Sequence, residues 1–107
     1  MSEEQAQQPE QPRVLTEDDV IDFTIRLLYS RLDVDELHFE KQILPELGVQ
    51  IAGRDLEHLR EVILATGFVS SPIGFGKVGM MQLTSNGMQL MKQYKGYIPF
   101  LRHQQQQ

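Results

Sequence analysis

The sequence predicts an α+β domain that is mainly helical, with three helices followed by a β-hairpin and a last helix. Two observations predict this fold. Apolar residues recur three and four positions apart in the helical stretches, which places them on one face of each helix. Between residues 68 and 83, strand-forming residues flank a segment of six residues that contains one proline and two glycines. Such a segment is typical of the turn in a hairpin.

The length of 107 residues suits one domain of ordinary size. Residues 1–15 are acidic and rich in glutamine, with too few apolar side chains to bury, so we expect this tail to be disordered. Residues 16–101 form the expected domain, and residues 102–107 are expected to be a loose, glutamine-rich end. The chain has no cysteine, which excludes a disulfide framework.

The first helix is predicted to start after Thr16, because Thr16 and Asp19 resemble a capping box with a shorter acid. Its apolar stripe consists of Ile21, Ile25, Leu28 and Leu32. A stripe of this width is typical of a helix that packs against the core.

The second helix is predicted to start at Asp33 or Asp35 and to run to Leu44. Pro45 lacks a backbone N–H and disfavours helical geometry at the preceding residue, so the helix should end or kink there. Residues 48–53, which begin and end with glycine, form a connector to the third helix.

Residues 55–66 are predicted to form the third helix. Its inward face consists of Leu56, Leu59, Ile63 and Thr66. Asp55 is placed to cap its start by accepting from the free backbone N–H groups of the first turn. Gly67 suits the left-handed position just after its end.

Residues 68–70 and 77–83 are the expected strands of the hairpin, and residues 71–76 form its tip. Thr84 follows the second strand directly and is placed to cap the last helix. This helix is expected to end near Lys95 and Gly96.

The string Gly67-Phe68-Val69, followed by a hairpin and by Leu83-Thr84-Ser85-Asn86-Gly87, is similar to a pattern of MarR-like and PadR-like winged-helix proteins. The resemblance covers residues 18–94. It implies a winged-helix fold in which the third helix is the recognition helix and the hairpin is the wing. It also implies a small dimeric transcriptional regulator that binds double-stranded DNA through these two elements.

The charge distribution supports a DNA surface in the second half of the chain. Residues 1–53 carry 4 basic and 12 acidic side chains, whereas residues 54–107 carry 6 basic and 3 acidic side chains. The basic half contains the third helix and the hairpin, and phosphate contacts supply most non-specific DNA affinity. The candidate DNA-binding residues are Arg54, His58, Arg60 and Lys77.

The outward face of the third helix favours a protein partner instead. This face holds Glu57, Glu61, Leu64 and Ala65. Carboxylates in the centre of a DNA groove are costly because phosphates surround them. Two alternatives stay open: the face is simply solvated, and Arg54 and Arg60 pair with these carboxylates at helical spacing.

Two apolar stretches are candidates for a protein interface. The hairpin tip carries Ile73 and Phe75, where MarR-like proteins usually place arginine and aspartate; we expect one of the two to pack and the other to be exposed. The second stretch, residues 97–101, either folds back over the core or joins a second subunit, and we favour the second subunit. The expected interface of a homodimer or a protein complex comprises Leu64, Phe75, Tyr97, Ile98, Phe100 and Leu101.

The sequence does not predict an enzyme. His38, His58 and His103 match no metal-ligand spacing, and no nucleophile or phosphate-binding motif is present. We therefore expect no catalytic residues, no metal and no cofactor. No apolar run approaches the roughly 20 residues that a membrane helix needs. The acidic, glutamine-rich start also lacks the basic and then apolar pattern of a signal peptide. We expect a cytoplasmic protein without a membrane partner.

Two functions stay open at this point. The first is a small winged-helix DNA-binding protein that acts as a dimeric transcriptional regulator. The second is a non-enzymatic winged-helix module for protein–protein interaction that does not bind DNA, motivated by Glu57, Glu61 and the apolar hairpin tip.

Overall fold

The computed structural model describes residues 15–106 of the chain. These residues form an α+β domain that is mainly helical, which confirms the predicted class. The expected disorder of residues 1–15 lies, apart from Leu15, outside the described residues. In chain order the elements are α1 (Glu17–Ser30), β1 (Leu37–His38), a π-helical segment (Phe39–Ile43), α2 (Leu44–Leu47), α3 (Gly53–Ala65), β2 (Val69–Ser70), β3 (Met80–Leu83), α4 (Ser85–Tyr94) and α5 (Tyr97–Gln105).

Helix α1 begins with the predicted capping box. The Thr16 hydroxyl accepts from the Asp19 N–H at 3.1 Å, and the Asp19 carboxylate accepts from the Thr16 N–H at 3.0 Å. The helix ends at Ser30, whose hydroxyl donates to the Leu27 carbonyl oxygen at 2.8 Å. Leu32 therefore lies beyond the helix and is exposed, so its predicted place in the apolar stripe is wrong.

The predicted second helix is wrong in its first half, where the chain forms β1. Leu37 and Phe39 are buried and His38 between them is partly exposed, which is the alternation of a strand. His38 then caps the π-helical segment, because its Nδ1 accepts from the Lys41 N–H at 3.1 Å. Gln42 completes the cap by accepting from the His38 N–H at 2.7 Å.

The predicted end of the second helix at Pro45 is wrong, because helical conformation continues to Leu47. The alternative of a kink at Pro45 stays a prediction. Pro45 lies in the first turn of α2, where the backbone N–H has no intrahelical acceptor and its loss costs little. Helix α2 ends at Leu47, and Gly48 after it has a left-handed φ of 85°. The predicted connector begins at this glycine.

Helix α3 starts earlier than predicted, at Gly53, and Ala52 before it provides no side-chain cap. Asp55 lies in the first turn, so the predicted cap at Asp55 is wrong. Its carboxylate still lies near the positive end of the helix dipole. The end of the helix agrees with the prediction, since Ala65 is its last residue and Gly67 has a φ of 81°.

The three strands form one antiparallel sheet in the order β1-β3-β2. The predicted hairpin joins β2 to β3, with Val69 opposite Leu83. On the other side of β3, Leu37 lies opposite Met81. The second hairpin strand begins at Met80, three residues later than predicted, so residues 71–79 form a longer loop.

Thr84 and Gly87 join the hairpin to α4. The Thr84 hydroxyl donates to the Gly67 carbonyl oxygen at 2.7 Å and accepts from the Gly87 N–H at 3.0 Å, as the predicted cap requires. The Thr84 N–H also donates to the Phe68 carbonyl oxygen at 3.0 Å. A Cβ atom at Gly87 would collide with that same oxygen, which explains why glycine occupies this position.

Helix α5 is capped by a residue from α1. The Asp22 carboxylate accepts from the backbone N–H groups of Tyr97 and Ile98, at 2.7 and 3.1 Å. Arg26 lies 3.5 Å from the same carboxylate. The helix continues through Gln105, into the stretch 102–107 for which the sequence predicts a loose end.

The core lies between α1, the sheet and the inner faces of α3 and α4. Its fully inaccessible apolar side chains are Ile25, Phe39, Ile43, Ile63 and Met81. The sheet covers one side of α1, and the pair α4 and α5 covers another. This arrangement leaves the loop between β2 and β3 and the outer face of α3 in solvent.

Candidate interaction surface

The loop between β2 and β3 presents three large apolar side chains to solvent. Ile73 is 99% exposed, Phe75 is 105% exposed and Val78 is 89% exposed, relative to a fully accessible residue. We call these three residues the hairpin-loop surface. The expectation that Ile73 or Phe75 packs on the domain is wrong, since both are exposed.

Glycines shape the loop and keep these side chains in solvent. Gly74 and Gly76 have φ angles of 151° and 77°, which residues other than glycine rarely adopt. The Lys77 N–H donates to the Gly74 carbonyl oxygen at 3.2 Å and closes a turn. Ile73 and Phe75 therefore lie on a tight turn that projects beyond the sheet.

The base of the loop is held by two contacts with the rest of the domain. The Lys77 ammonium lies 2.8 Å from the Glu36 carboxylate, and the Glu36 side chain is only 17% exposed. The Phe39 N–H donates to the Gly79 carbonyl oxygen at 2.9 Å, and a Cβ atom at Gly79 would meet the His38 ring. These contacts hold the base of the loop, whereas the side chains at its tip are exposed to solvent.

The outer face of α3 is predominantly acidic. Its exposed charged residues are Arg54, Asp55, Glu57 and Glu61, with His58 beside them. Leu64, which the sequence places on this face, is half-buried and packs at the edge of the core. Leu64 is thus less exposed than the sequence predicts, and its place in a protein interface stays a prediction.

The structure distributes the four candidate DNA-binding residues over different environments. Arg54 is exposed at the start of α3. His58 lies 2.8 Å from the Glu17 carboxylate of α1, and Lys77 is paired with Glu36 as described. Arg60 is half-buried, and its Nε has no hydrogen-bond acceptor among residues 15–106.

The alternative pairing of Arg54 and Arg60 with carboxylates of α3 is absent. Neither arginine makes an ion pair within the part of the chain that the structure describes. Glu57 and Glu61 are likewise without a cation there, so the acidic charge of this face is not neutralised locally.

A groove of about 200 Å³ separates α3 from the base of the hairpin. Phe39 lies at its floor and Leu56 and Val78 form its apolar walls. Glu57 and Arg60 line it on the side of α3. The groove connects the hairpin-loop surface to the acidic face of α3.

The second predicted interface, residues 97–101, packs on the domain, unlike the exposed hairpin loop. Of the two alternatives, the structure shows folding back over the core, because the Phe100 ring lies 5.7 Å from that of Phe68 and 5.2 Å from that of Tyr94. Tyr97 joins the same cluster at 6.2 Å from Phe68. Ile98 and Leu101 are half-buried on the same helix.

The packing of α5 changes the pKa of the Tyr97 hydroxyl. Burial raises the pKa of Tyr97 above its ordinary value, and the negative charge of Asp18 raises it further. Both effects follow from the position of α5 beside α1.

Within residues 15–106, no three histidine or carboxylate side chains are grouped so that they could hold a metal ion. The helices described here are all too short or too polar to cross a membrane.

Several parts of this surface have no local signal in the sequence. Glu36, which pairs with Lys77, lies 41 residues earlier in the sequence. Val78 is almost fully exposed, although it lies in a segment that the sequence predicts to be a strand. Only the two glycines beside Phe75 indicate that the chain turns there and cannot cover its own side chains.

A scan against models of protein families gives no match to this chain. A search of curated proteins and a search of solved structures find no similar protein either.

Proposed function

We propose that this chain is a winged-helix module, without catalytic activity, that binds another protein through the hairpin-loop surface and the outer face of α3. The order of elements supports the winged-helix part of the proposal: helix, strand, three helical segments, hairpin and two helices, with β1 added beside β3. In this arrangement α3 and the hairpin loop lie next to each other and form one continuous surface.

The observation that carries the proposal is the nearly complete exposure of Ile73, Phe75 and Val78 within six residues. Burying a side chain of this kind stabilises a complex by about 1.5–3 kcal/mol. Apolar patches that a folded domain leaves in water are typical of interaction sites. The loop is held at its base by Lys77 and Gly79, so little ordering entropy is lost when a partner covers it.

The charge on α3 also supports a protein partner. Asp55, Glu57 and Glu61 are exposed, whereas Arg54 is the one exposed arginine of α3. A duplex would bring phosphates near these carboxylates and raise the electrostatic cost of binding. A protein partner can instead supply basic side chains that pair with them.

Site-specific photo-cross-linking in cells that make the protein tests the proposal. A photoreactive phenylalanine analogue is placed at position 75 in one variant and at position 34 in a control. Val34 is also apolar and exposed, but it lies in the turn after α1. We expect discrete protein adducts from position 75 and none of the same mass from position 34.

The adduct is then purified with its partner, and the affinity of the wild-type chain is compared with that of Phe75→Ser and Val34→Ser. Phe75→Ser should weaken the complex at least about tenfold, because it removes a central apolar contact. Identical adducts from both positions, or equal affinities for the two variants, would contradict the proposal.

DNA binding by a dimeric regulator is the second candidate, and exposed Arg54 is the observation that favours it. Fluorescence anisotropy with random duplex DNA at low and moderate salt tests this function. Micromolar binding that falls steeply with salt, and that is lost when Arg54, Arg60 and Lys77 are all replaced by alanine, would establish DNA binding. The first proposal expects no such binding.

A further inference from the structure

The groove between α3 and the hairpin base is large enough for one side chain. Its volume is about 200 Å³, and a cavity of about 150 Å³ suffices for a benzene molecule. Phe39 at its floor and the walls of Leu56 and Val78 give it a mainly apolar lining. An aliphatic or aromatic side chain of a partner therefore fits this groove better than a charged one.

The rim of the groove is negatively charged. Glu40 and Glu57 line it, both are exposed, and neither forms an ion pair within residues 15–106. Glu61 lies one turn further along α3 and is also exposed. Arg60 is the one cation among the residues that line the groove, so carboxylates outnumber guanidinium groups here.

Arg60 is also suited to the backbone of a bound peptide. Its Nε is inaccessible and lacks an acceptor among the described residues, so the guanidinium is not oriented by a carboxylate of its own domain. The remaining N–H groups of the guanidinium can donate to peptide carbonyl oxygens along the groove. The carboxylates of Glu40 and Glu57 then stay available for side chains.

We propose that the partner presents a segment with one apolar side chain flanked by lysine or arginine, and that this segment lies in the groove between α3 and the hairpin base. The inference rests on the proposed function and names the class of partner. The apolar side chain enters the groove, and the basic residues pair with Glu40 and Glu57. Charge complementarity of this kind fixes the register of a segment and speeds its association.

Selection from a library of short random peptides, with the full chain as bait, tests this inference. We expect the wild-type chain to enrich peptides in which a leucine, isoleucine, methionine or phenylalanine has lysine or arginine beside it. A double variant, Glu40→Lys with Glu57→Lys, should lose these peptides. Enrichment of peptides without basic residues, or of no peptide at all, would overturn the inference.

The affinity of one enriched peptide is then measured by fluorescence anisotropy. Glu57→Lys should weaken binding at least about tenfold, since an attraction becomes a repulsion. Asp33→Lys makes the same change of charge outside the groove and should leave the affinity within about twofold. Equal losses in both variants would show that net charge alone governs binding, which contradicts a defined groove.

The two proposals fail in different ways. Discrete adducts at position 75 together with peptides that lack basic residues would leave the interaction module standing and remove only the basic partner. Absence of both adducts and peptides would remove the interaction module as well.

Discussion

Two apolar stretches of this chain have similar side chains but differ in burial, since one packs on the domain and the other is exposed to solvent. Residues 97–101 fold back as the first turns of α5, and their aromatic rings pack on Phe68 and Tyr94. The loop that carries Ile73 and Phe75 projects away from the domain and keeps both side chains in water. Hydrophobicity alone therefore does not determine which stretch the domain covers.

Backbone geometry accounts for the difference. Residues 97–101 can form a helix whose first N–H groups find an acceptor in the Asp22 carboxylate. The loop instead contains Gly74 and Gly76 in conformations that reverse the chain within a few residues. The turn holds these side chains outward, and the ion pair of Lys77 with Glu36 joins the base of the loop to the segment before β1.

The comparison is sharpest for two phenylalanines. Phe100→Ala should lower the free energy of unfolding by about 2 kcal/mol, less than for a fully buried ring because Phe100 is half-buried. Phe75→Ala should change it by less than about 0.5 kcal/mol, since its side chain loses no contact. Urea unfolding followed by circular dichroism measures both values. A loss above about 1 kcal/mol for Phe75→Ala would show that the loop packs on the domain in solution.

A smaller effect is expected from the cap of α5. Asp22→Ala removes the acceptor of two backbone N–H groups and should lower the free energy of unfolding by about 1 kcal/mol, the usual effect of losing a helix cap. Asp33→Ala removes an exposed carboxylate outside any helix and serves as the control. Thermal unfolding of the two variants tests the difference. Equal midpoints would mean that α5 is docked by its rings alone.

The smallest effect concerns the Tyr97 hydroxyl. Because its pKa is raised above the ordinary value of 10.0 in the folded state, the unfolded chain releases this proton first as the pH increases. The corresponding stability is fully present below about pH 10 and is lost as the pH rises through the folded pKa. Tyr97→Phe should therefore lose less stability than the wild-type chain over that range. Parallel curves for the two proteins would indicate that Tyr97 is solvated.

Local signals in the sequence were sufficient for much of the fold. The capping box of Thr16, the left-handed Gly67 and the Thr84 cap act within a few residues and are found where they are predicted. Strand β1 was missed because two residues are too short for a periodic pattern. The predicted end of the helix at Pro45 failed because the chain leaves the π-helical segment there and starts a new first turn, which tolerates proline.

The surface was less predictable than the fold, because it depends on contacts between distant residues. Glycines identified the hairpin tip as a turn, but the exposure of both Ile73 and Phe75 depends on the absence of a neighbouring element. The pair of Lys77 with Glu36 and the cap of α5 by Asp22 join residues 41 and 75 positions apart. Spacing along the chain contains no information on such pairs.

The two outer strands of the sheet offer little backbone to which a further strand could be added. Strands β1 and β2 have two residues each, and only the central β3 is longer. Pro72 follows β2 closely and lacks an N–H, while β1 passes directly into the π-helical segment. Neither edge can template the growth of a cross-β stack, so the exposed apolar loop does not lie beside an extendable strand. The partner that we propose would therefore be bound through side chains rather than through added strands.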